Sequence, residues 1–162
     1  MILYRIARCS YANDLSGTGA RLYGGRWSGI GKAVVYLASS SSFAVLEVLV
    51  HLQPLLIPDD YCRIEVEVPA DNILTIDINQ LPVDWRDISP PQILTRIGDN
   101  FIKDGKHLML KVPSSIVPTE YNYLLNPAHP AIGKVKLLGK ESFDFDSRLV
   151  ESLVIWHWLL VR

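Results

Sequence analysis

Six of the ten glycines in this chain of 162 residues fall within fifteen positions, in the sequence GTGARLYGGRWSGIG at 17–31. Glycine weakens the interior of helices and strands, so the segment is predicted to be a loop. Two interpretations stay open: a loop of several turns without a ligand, or a loop whose amides, with Arg21 and Arg26, bind a diphosphate. The segment matches neither the P-loop nor the Rossmann glycine motif.

The residues that follow this segment show the periodicities of regular structure. AVVYLA at 33–38 is a short apolar run typical of a buried strand, and the serines at 39–42 are placed to cap a helix through FAVLEVLVHL that ends before Pro54. In RIEVEV at 63–68 apolar and charged residues alternate. That alternation predicts a strand with one exposed face.

The second half of the chain predicts one more helix and further strands. Strands are expected at 72–78, 107–112 and 134–138, with a turn at Gly139 and Lys140. Ser89, followed by two prolines, opens a helix that Gly105 is placed to end, and its apolar residues recur with helical spacing: Ile93, Leu94, Ile97, Phe101 and Ile102. Because helices interleave irregularly with about five or six strands, the predicted fold class is α+β, a single compact domain with flanking helices.

The charge balance limits the classes of partner. Sixteen basic residues stand against 17 acidic ones, for a net charge of −1. Non-specific nucleic-acid affinity comes mainly from many lysines and arginines that neutralise phosphates. We therefore expect no direct contact with nucleic acid, whereas a small anionic ligand held by one or two cations is compatible with this balance.

Cys9 and Cys62 are too few for a disulfide framework and form no CxxC or Cys/His cluster. We expect both to be buried thiols in a reducing cytoplasm. No signal peptide is recognisable, and no segment approaches the roughly 20 apolar residues of a membrane span. The four histidines are scattered, so no metal site is expected.

Glu47 is the most informative charged residue outside the glycine-rich segment. On a helix its surface neighbours are all uncharged or weakly basic: Phe43, Ala44, Val50 and His51. A buried glutamate is unfavourable unless it is paired or faces a cleft, so a structural salt bridge and a site residue are the two alternatives. Tyr36, on one strand face with Val34 and Ala38, is by itself a core tyrosine.

The last twelve residues, ESLVIWHWLLVR, carry two of the four tryptophans and almost no polar side chains. One interpretation is a terminal strand or helix docked on the core. The other is a contact with a partner or with a second copy in a homodimer.

Several stretches, taken in order, resemble the RES domain, named for its Arg, Glu and Ser. They are LSGTGARLYGGRWSGIGKAVVYLASSSSFAVLEVLVH, VPSSIVPTEYNYLLNPAHP and FDFDSRL. The resemblance runs from about Tyr4 to Leu149, which suggests a RES domain over 1–149 and a hydrophobic extension over 150–162. This sequence departs from the family pattern at Ser28, where an Asn commonly follows GGRW.

The resemblance implies a bacterial toxin that an Xre-like helix-turn-helix antitoxin neutralises, with a mixed-sheet fold similar to ADP-ribosyltransferase toxins. It implies destruction of NAD+ by hydrolysis or phosphorolysis, although at least one branch transfers ADP-ribose to a protein. The site residues that carry over are Arg26, Tyr36, Glu47 and Ser114, with Asn122 added and Ser115 as the alternative serine. A non-catalytic module that binds a nucleotide or a partner is a third hypothesis.

Cleavage of the bond between nicotinamide and ribose suits these residue types. The transition state resembles an oxocarbenium ion, which an ionised Glu47 can stabilise, and nicotinamide leaves as a neutral molecule. Arg26 can bind the diphosphate, Tyr36 can stack on a cofactor ring, and Ser114 can orient the ribose or the carboxamide. An ion pair between Arg26 and Glu47 in the empty site is expected to make the glutamate's burial tolerable.

Overall fold

The computed structural model describes residues 1–52 and 59–149, and a mixed sheet of seven strands organises them. The strands are β1 Ile2–Arg8, β2 Val35–Ala38, β3 Tyr61–Glu67, β4 Ile73–Thr75, β5 Met109–Pro113, β6 Tyr121–Leu125 and β7 Lys136–Phe143. The helices are α1 Thr18–Tyr23, α2 Ser41–Leu49 and α3 Gln92–Asp104, with 3₁₀ segments at Cys9–Tyr11, Ile78–Gln80 and Pro130–Lys134.

Strand order in the sheet is β4-β5-β6-β2-β1-β3-β7. Only the pair β4 and β5 is parallel among the described strands, and the other neighbours are antiparallel. The α+β class and the mixed sheet with flanking helices are therefore confirmed.

The two faces of the sheet carry different cores because successive side chains of a strand point to opposite sides. Val35 and Leu37 of β2 belong to one continuous apolar cluster on the first face. On the second face, α3 packs on one cluster, which includes Tyr36, and α2 packs on another, which includes Ala38. The second face is thus divided between two helices, and the division runs along β2.

Local sequence patterns predicted several elements correctly. The Ser40 hydroxyl caps α2 by accepting a hydrogen bond from the Phe43 amide, at 3.2 Å. The apolar residues of 63–68 are at most 1% exposed. Helix α3 ends at Gly105, which has a φ of 61°, the left-handed conformation that favours glycine at a helix C-terminus.

Other expectations were wrong. Helix α1 forms inside the glycine-rich segment, and α2 ends at Leu49 rather than at Leu52, with Leu46 and Val50 exposed. Gly139 makes no turn: β7 continues through it, and a register shift opposite Glu65 and Val66 absorbs the irregularity. The strand expected at 72–78 is only three residues long.

The expectation of two free thiols was wrong. Cys9 and Cys62 form a disulfide, with their Cα atoms 4.9 Å apart. The cause is the register of β1 against β3, in which Ala7 lies opposite Cys62. Cys9 follows two residues later, where the chain turns across the end of β3. Spacing within the sequence, 53 residues, gave no sign of this proximity.

Within the described ranges, no helix is both long and apolar enough to cross a membrane. The extension at 150–162 lies outside the described residues, so its docking, its contacts and the domain boundary at Leu149 stay predictions.

Candidate active site

The carboxylate of Glu47 lies at the centre of a polar cluster on the divided face of the sheet. Its Oε1 accepts a hydrogen bond from Ser114 Oγ at 2.8 Å and another from Asn122 Nδ2 at 2.6 Å. An ionised glutamate only accepts hydrogen bonds, which suits an oxygen that faces two donors. Elsewhere in the described chain no donor reaches Oε2 of the half-buried Glu47, which leaves this oxygen without a protein partner.

Ser114 is fully buried directly after β5, and a tight turn fixes its hydroxyl. Its Oγ accepts from the amides of Ile116 and Val117 at 3.0 and 3.1 Å, which directs its proton to Glu47. Ser115 instead turns its carbonyl toward Arg86. The geometry therefore brings Ser114, and not Ser115, to the glutamate.

Asn122 reaches the same carboxylate from β6, where it pairs with Ala38 on β2 and Val112 on β5. Its position in the centre of the sheet limits its movement. Three elements thus meet at one oxygen atom: α2, the turn after β5, and β6.

Tyr36 faces the glycine-rich segment rather than an apolar core alone. Its hydroxyl accepts from the Trp27 amide at 3.2 Å and exchanges a hydrogen bond with Ser28 Oγ at 3.0 Å. A Cβ on Gly25 would lie only 2.7 Å from this hydroxyl, so a larger residue there would force the Tyr36 side chain to move. Burial raises the pKa of Tyr36, and the hydroxyl stays protonated well into the alkaline range.

The expected ion pair between Arg26 and Glu47 does not form. The Arg26 guanidinium donates to two main-chain carbonyls, from Nη1 to Trp85 at 2.8 Å and from Nη2 to Asp87 at 2.9 Å. Desolvation lowers the pKa of Arg26, and the negative charges of Glu47 and Asp87 oppose that shift. Because its hydrogen-bond acceptors are neutral carbonyls, Arg26 forms no direct ion pair, and Glu47 and Asp87 act on its positive charge only at a distance.

The glycine-rich segment does not present a set of free amides. Four of its glycine amides already donate within the protein. Gly24 donates to the Ala20 carbonyl, Gly25 to the Ser28 carbonyl, Gly29 to the Asp99 carboxylate and Gly31 to the Arg21 carbonyl. Tight packing accounts for Gly25, against Tyr36, and for Gly29, against α3. These four amides are not free to bind an anion.

Arg5 is a candidate that sequence reasoning missed. It lines a cavity of about 150 Å³ with Asp14, Gly17, Gly24 and Tyr36. Its Nη1 donates to the Asp14 carbonyl at 2.9 Å, and burial lowers its pKa. The cavity shares Tyr36 with the site but does not include Glu47, so it can hold only part of a dinucleotide. No local pattern marks Arg5, because its position depends on β1 lying next to β2.

Within the described residues, no group of three or more His, Cys, Asp and Glu side chains could hold a metal ion.

The fold itself has a solved counterpart. A chain in the crystal structure of the M. tuberculosis MbcT–MbcA toxin–antitoxin complex superposes with a TM-score of 0.72 over 94% of this chain and 87% of that chain, at 20% sequence identity. The architecture, a mixed sheet of seven strands with flanking helices, is thus an established protein fold.

The family follows from sequence. The RES domain model matches residues 2–146, and the chain belongs to the RES domain family. It is 43% identical over 157 residues to a protein named Toxin Res from Photorhabdus laumondii, spanning 94% of this chain and 99% of the relative. It is 40% identical to Toxin Res from Yersinia enterocolitica, over 92% and 99% of the two chains. A protein named Prs ADP-ribosylating toxin from Sphingobium sp. is 37% identical, over 90% and 92%.

Proposed function

We propose that the chain is the toxin of a bacterial toxin–antitoxin system and cleaves the bond between nicotinamide and ribose in NAD+. The observation that carries this proposal is the state of Glu47: Oε1 is fixed by two neutral donors, no donor in the described part of the chain reaches Oε2, and the charge of Glu47 acts on Arg26, whose hydrogen-bond acceptors are carbonyls. A carboxylate and a cation are thus available to one ligand that carries both a developing positive charge and a diphosphate.

In the proposed reaction the C–N bond to nicotinamide breaks, and its electron pair leaves with the neutral nicotinamide. Oε2 of Glu47 stabilises the positive charge that develops on the ribose, and the hydrogen bonds from Ser114 and Asn122 hold the carboxylate in place for it. Water or phosphate then forms the new bond to the ribose carbon. Water yields ADP-ribose and a proton, and phosphate yields ADP-ribose 1″-phosphate.

Two arginines support binding of the diphosphate. Arg26 uses one N–H of each terminal nitrogen for main-chain carbonyls and keeps further donors for an anion. Arg5 places a second cation in the adjoining cavity. Tyr36 lines the same cavity as Arg5, where its ring can contact an aromatic ring of the substrate.

A test compares nicotinamide release by the purified protein and by Glu47→Gln, with and without phosphate. We expect at least a hundredfold loss of turnover in Glu47→Gln, the scale typical of a removed transition-state contact. Glu141→Gln on the exposed strand β7 is the matched control and keeps full activity. Absence of release by the natural chain, or equal rates in both variants, would contradict the proposal.

Transfer of ADP-ribose to a protein is the second candidate, and the relative named Prs ADP-ribosylating toxin favours it. The same cleavage would occur, with a side chain of the acceptor protein as nucleophile. Labelled NAD+ separates the two functions, because transfer leaves the label on a protein band, whereas hydrolysis or phosphorolysis leaves it in a small molecule.

The antitoxin is the proposed partner, and we infer that it is an Xre-like helix-turn-helix protein that covers the site and makes the DNA contacts. The solved counterpart comes from a toxin–antitoxin complex, and the net charge of −1 suits a chain that leaves DNA to its partner. We place the pair in the cytoplasm, where NAD+ is abundant. Co-purification with the product of a neighbouring gene tests the pairing, and gel filtration of the chain alone tests for a homodimer.

A further inference from the structure

Three consecutive residues, Trp85–Asp87, connect two sides of the site that are far apart in sequence. The carbonyls of Trp85 and Asp87 accept from Arg26 on the glycine-rich segment. Between them, Arg86 donates from Nε to the carbonyl of Ser115 at 3.0 Å. We call this segment the strap.

The strap has a fixed base. Trp85 is 6% exposed and belongs to the same buried cluster as Trp27, next to Arg26. Contacts other than those of the Arg86 side chain therefore hold the backbone on either side of Arg86. Because the backbone at Arg86 is already ordered, only the side chain loses conformational entropy when Arg86 forms its hydrogen bond.

Arg86 acts on the turn that carries the site serine. Three hydrogen bonds close that turn. The amides of Ile116 and Val117 donate to Ser114 Oγ, and the Ser114 amide donates to the Glu120 carbonyl at 3.0 Å. The carbonyl that Arg86 binds belongs to Ser115, inside the turn. The same turn presents the Ser114 hydroxyl to Glu47.

We propose that Arg86 is a positioning residue: it holds the Ser114–Val117 turn so that Ser114 keeps Glu47 in its reactive orientation, and the strap ties this turn to Arg26. Arg86 touches neither the carboxylate nor the serine hydroxyl, so its effect passes through the main chain. The activity part of this inference rests on the proposed function, whereas its structural part does not.

The test compares Arg86→Ala with Arg96→Ala. Arg96 is an exposed arginine on α3 that makes no hydrogen bond or ion pair in the described part of the chain, so it controls for loss of a surface cation. We expect kcat for nicotinamide release to fall on the order of tenfold or more in Arg86→Ala with KM nearly unchanged, because a small displacement of a reactive group lowers the rate steeply. Methylguanidinium added to Arg86→Ala is expected to restore part of the rate, and added to Arg96→Ala to change nothing.

A second readout needs no substrate. Hydrogen exchange at the Ile116 and Val117 amides reports whether the turn stays closed, and we expect faster exchange in Arg86→Ala than in Arg96→Ala. Equal exchange and equal kcat in the two variants would overturn the inference. If the natural chain releases no nicotinamide at all, the proposed function fails, and the exchange rates still decide whether Arg86 holds the turn.

Discussion

Glu47 shows how a carboxylate can be held in apolar surroundings without a cation in contact. Its neighbours Phe43 and Ala44 are buried, yet two neutral donors, and not an arginine, satisfy one of its oxygens. Neutral donors orient a carboxylate but leave its negative charge in place. An ion pair would have weakened the field that the proposed reaction needs at the ribose.

The hydroxyl of Tyr36 is predicted to stabilise the glycine-rich segment. In Tyr36→Phe the Trp27 amide loses its acceptor, so we expect the free energy of unfolding to fall by about 1–3 kcal/mol at pH 7. Because burial raises the pKa of Tyr36 in the folded state, the unfolded chain loses this proton first as pH rises. Stability from this group therefore decreases above its ordinary pKa of about 10.

Urea unfolding of both proteins at pH 7 and pH 10.5 measures the effect. The difference between them is expected to shrink at the higher pH, since only the natural chain carries the titrating hydroxyl. A difference that grows with pH would show that the folded state prefers the tyrosinate.

At the scale of elements, α3 is the platform on which the glycine-rich segment rests. Gly98 of α3 lies against the main-chain carbonyl of Trp27, and the Gly29 amide donates to Asp99 Oδ1 at 2.8 Å. Any Cβ at position 98 would overlap that carbonyl. Contact between helix and segment thus depends on the absence of one side chain.

Gly98→Ala is expected to destabilise the protein by about 2 kcal/mol or more, since backbone atoms must move to relieve the overlap. Gly19→Ala is the matched control: it lies in α1 with nothing within 4 Å of a new Cβ. Alanine there is expected to be neutral or to stabilise by up to about 1 kcal/mol. Thermal unfolding of both variants decides, and equal melting temperatures would contradict the packing described for Gly98.

Elements whose pattern is local could be predicted from sequence, and elements defined by distant pairing could not. The alternation in 63–68 and the helical spacing after Pro91 gave β3 and α3 because each pattern lies within one element. Strand β1 was missed, since Ile2–Arg8 shows no clean alternation and is defined by its pairing with β3.

The same distinction applies to the candidate site. Glu47 is conspicuous in sequence because it interrupts an apolar stretch. The partner of Arg26 was predicted wrongly because its acceptors are main-chain carbonyls 59 and 61 residues away. Every residue has a main-chain carbonyl, so the residue types at these positions give no indication of the contact. Arg5 and Arg86 were missed for the same reason: both bind main-chain oxygens.

At the scale of the whole molecule, the disulfide between Cys9 and Cys62 joins the end of β1 to β3. A crosslink across 53 residues restricts the unfolded chain, and such links typically stabilise by about 2–4 kcal/mol. We expect Cys9→Ser to lower the free energy of unfolding by about this amount under oxidising conditions. In a reducing cytoplasm the bond would rarely persist, and the natural chain would lose the same contribution.

Urea unfolding with and without dithiothreitol measures this contribution. Dithiothreitol is expected to reduce the stability of the natural chain to that of Cys9→Ser and to leave the variant unchanged. Equal stability of the two proteins under oxidising conditions would show that the crosslink contributes nothing.

The two hydrogen bonds that fix Arg26 affect which mutations can inactivate the gene. Its two acceptors are carbonyls, which every amino acid supplies, so no exchange of side chain at Trp85 or Asp87 deletes them. A single nucleotide change, in contrast, can erase the carboxylate of Glu47 or the hydroxyl of Ser114. Among spontaneous inactivating mutations, codons 47 and 114 should therefore recur, whereas losses at Asp87, which accepts from Arg26 only through its carbonyl, should be enriched in deletions and prolines, which redirect the chain itself.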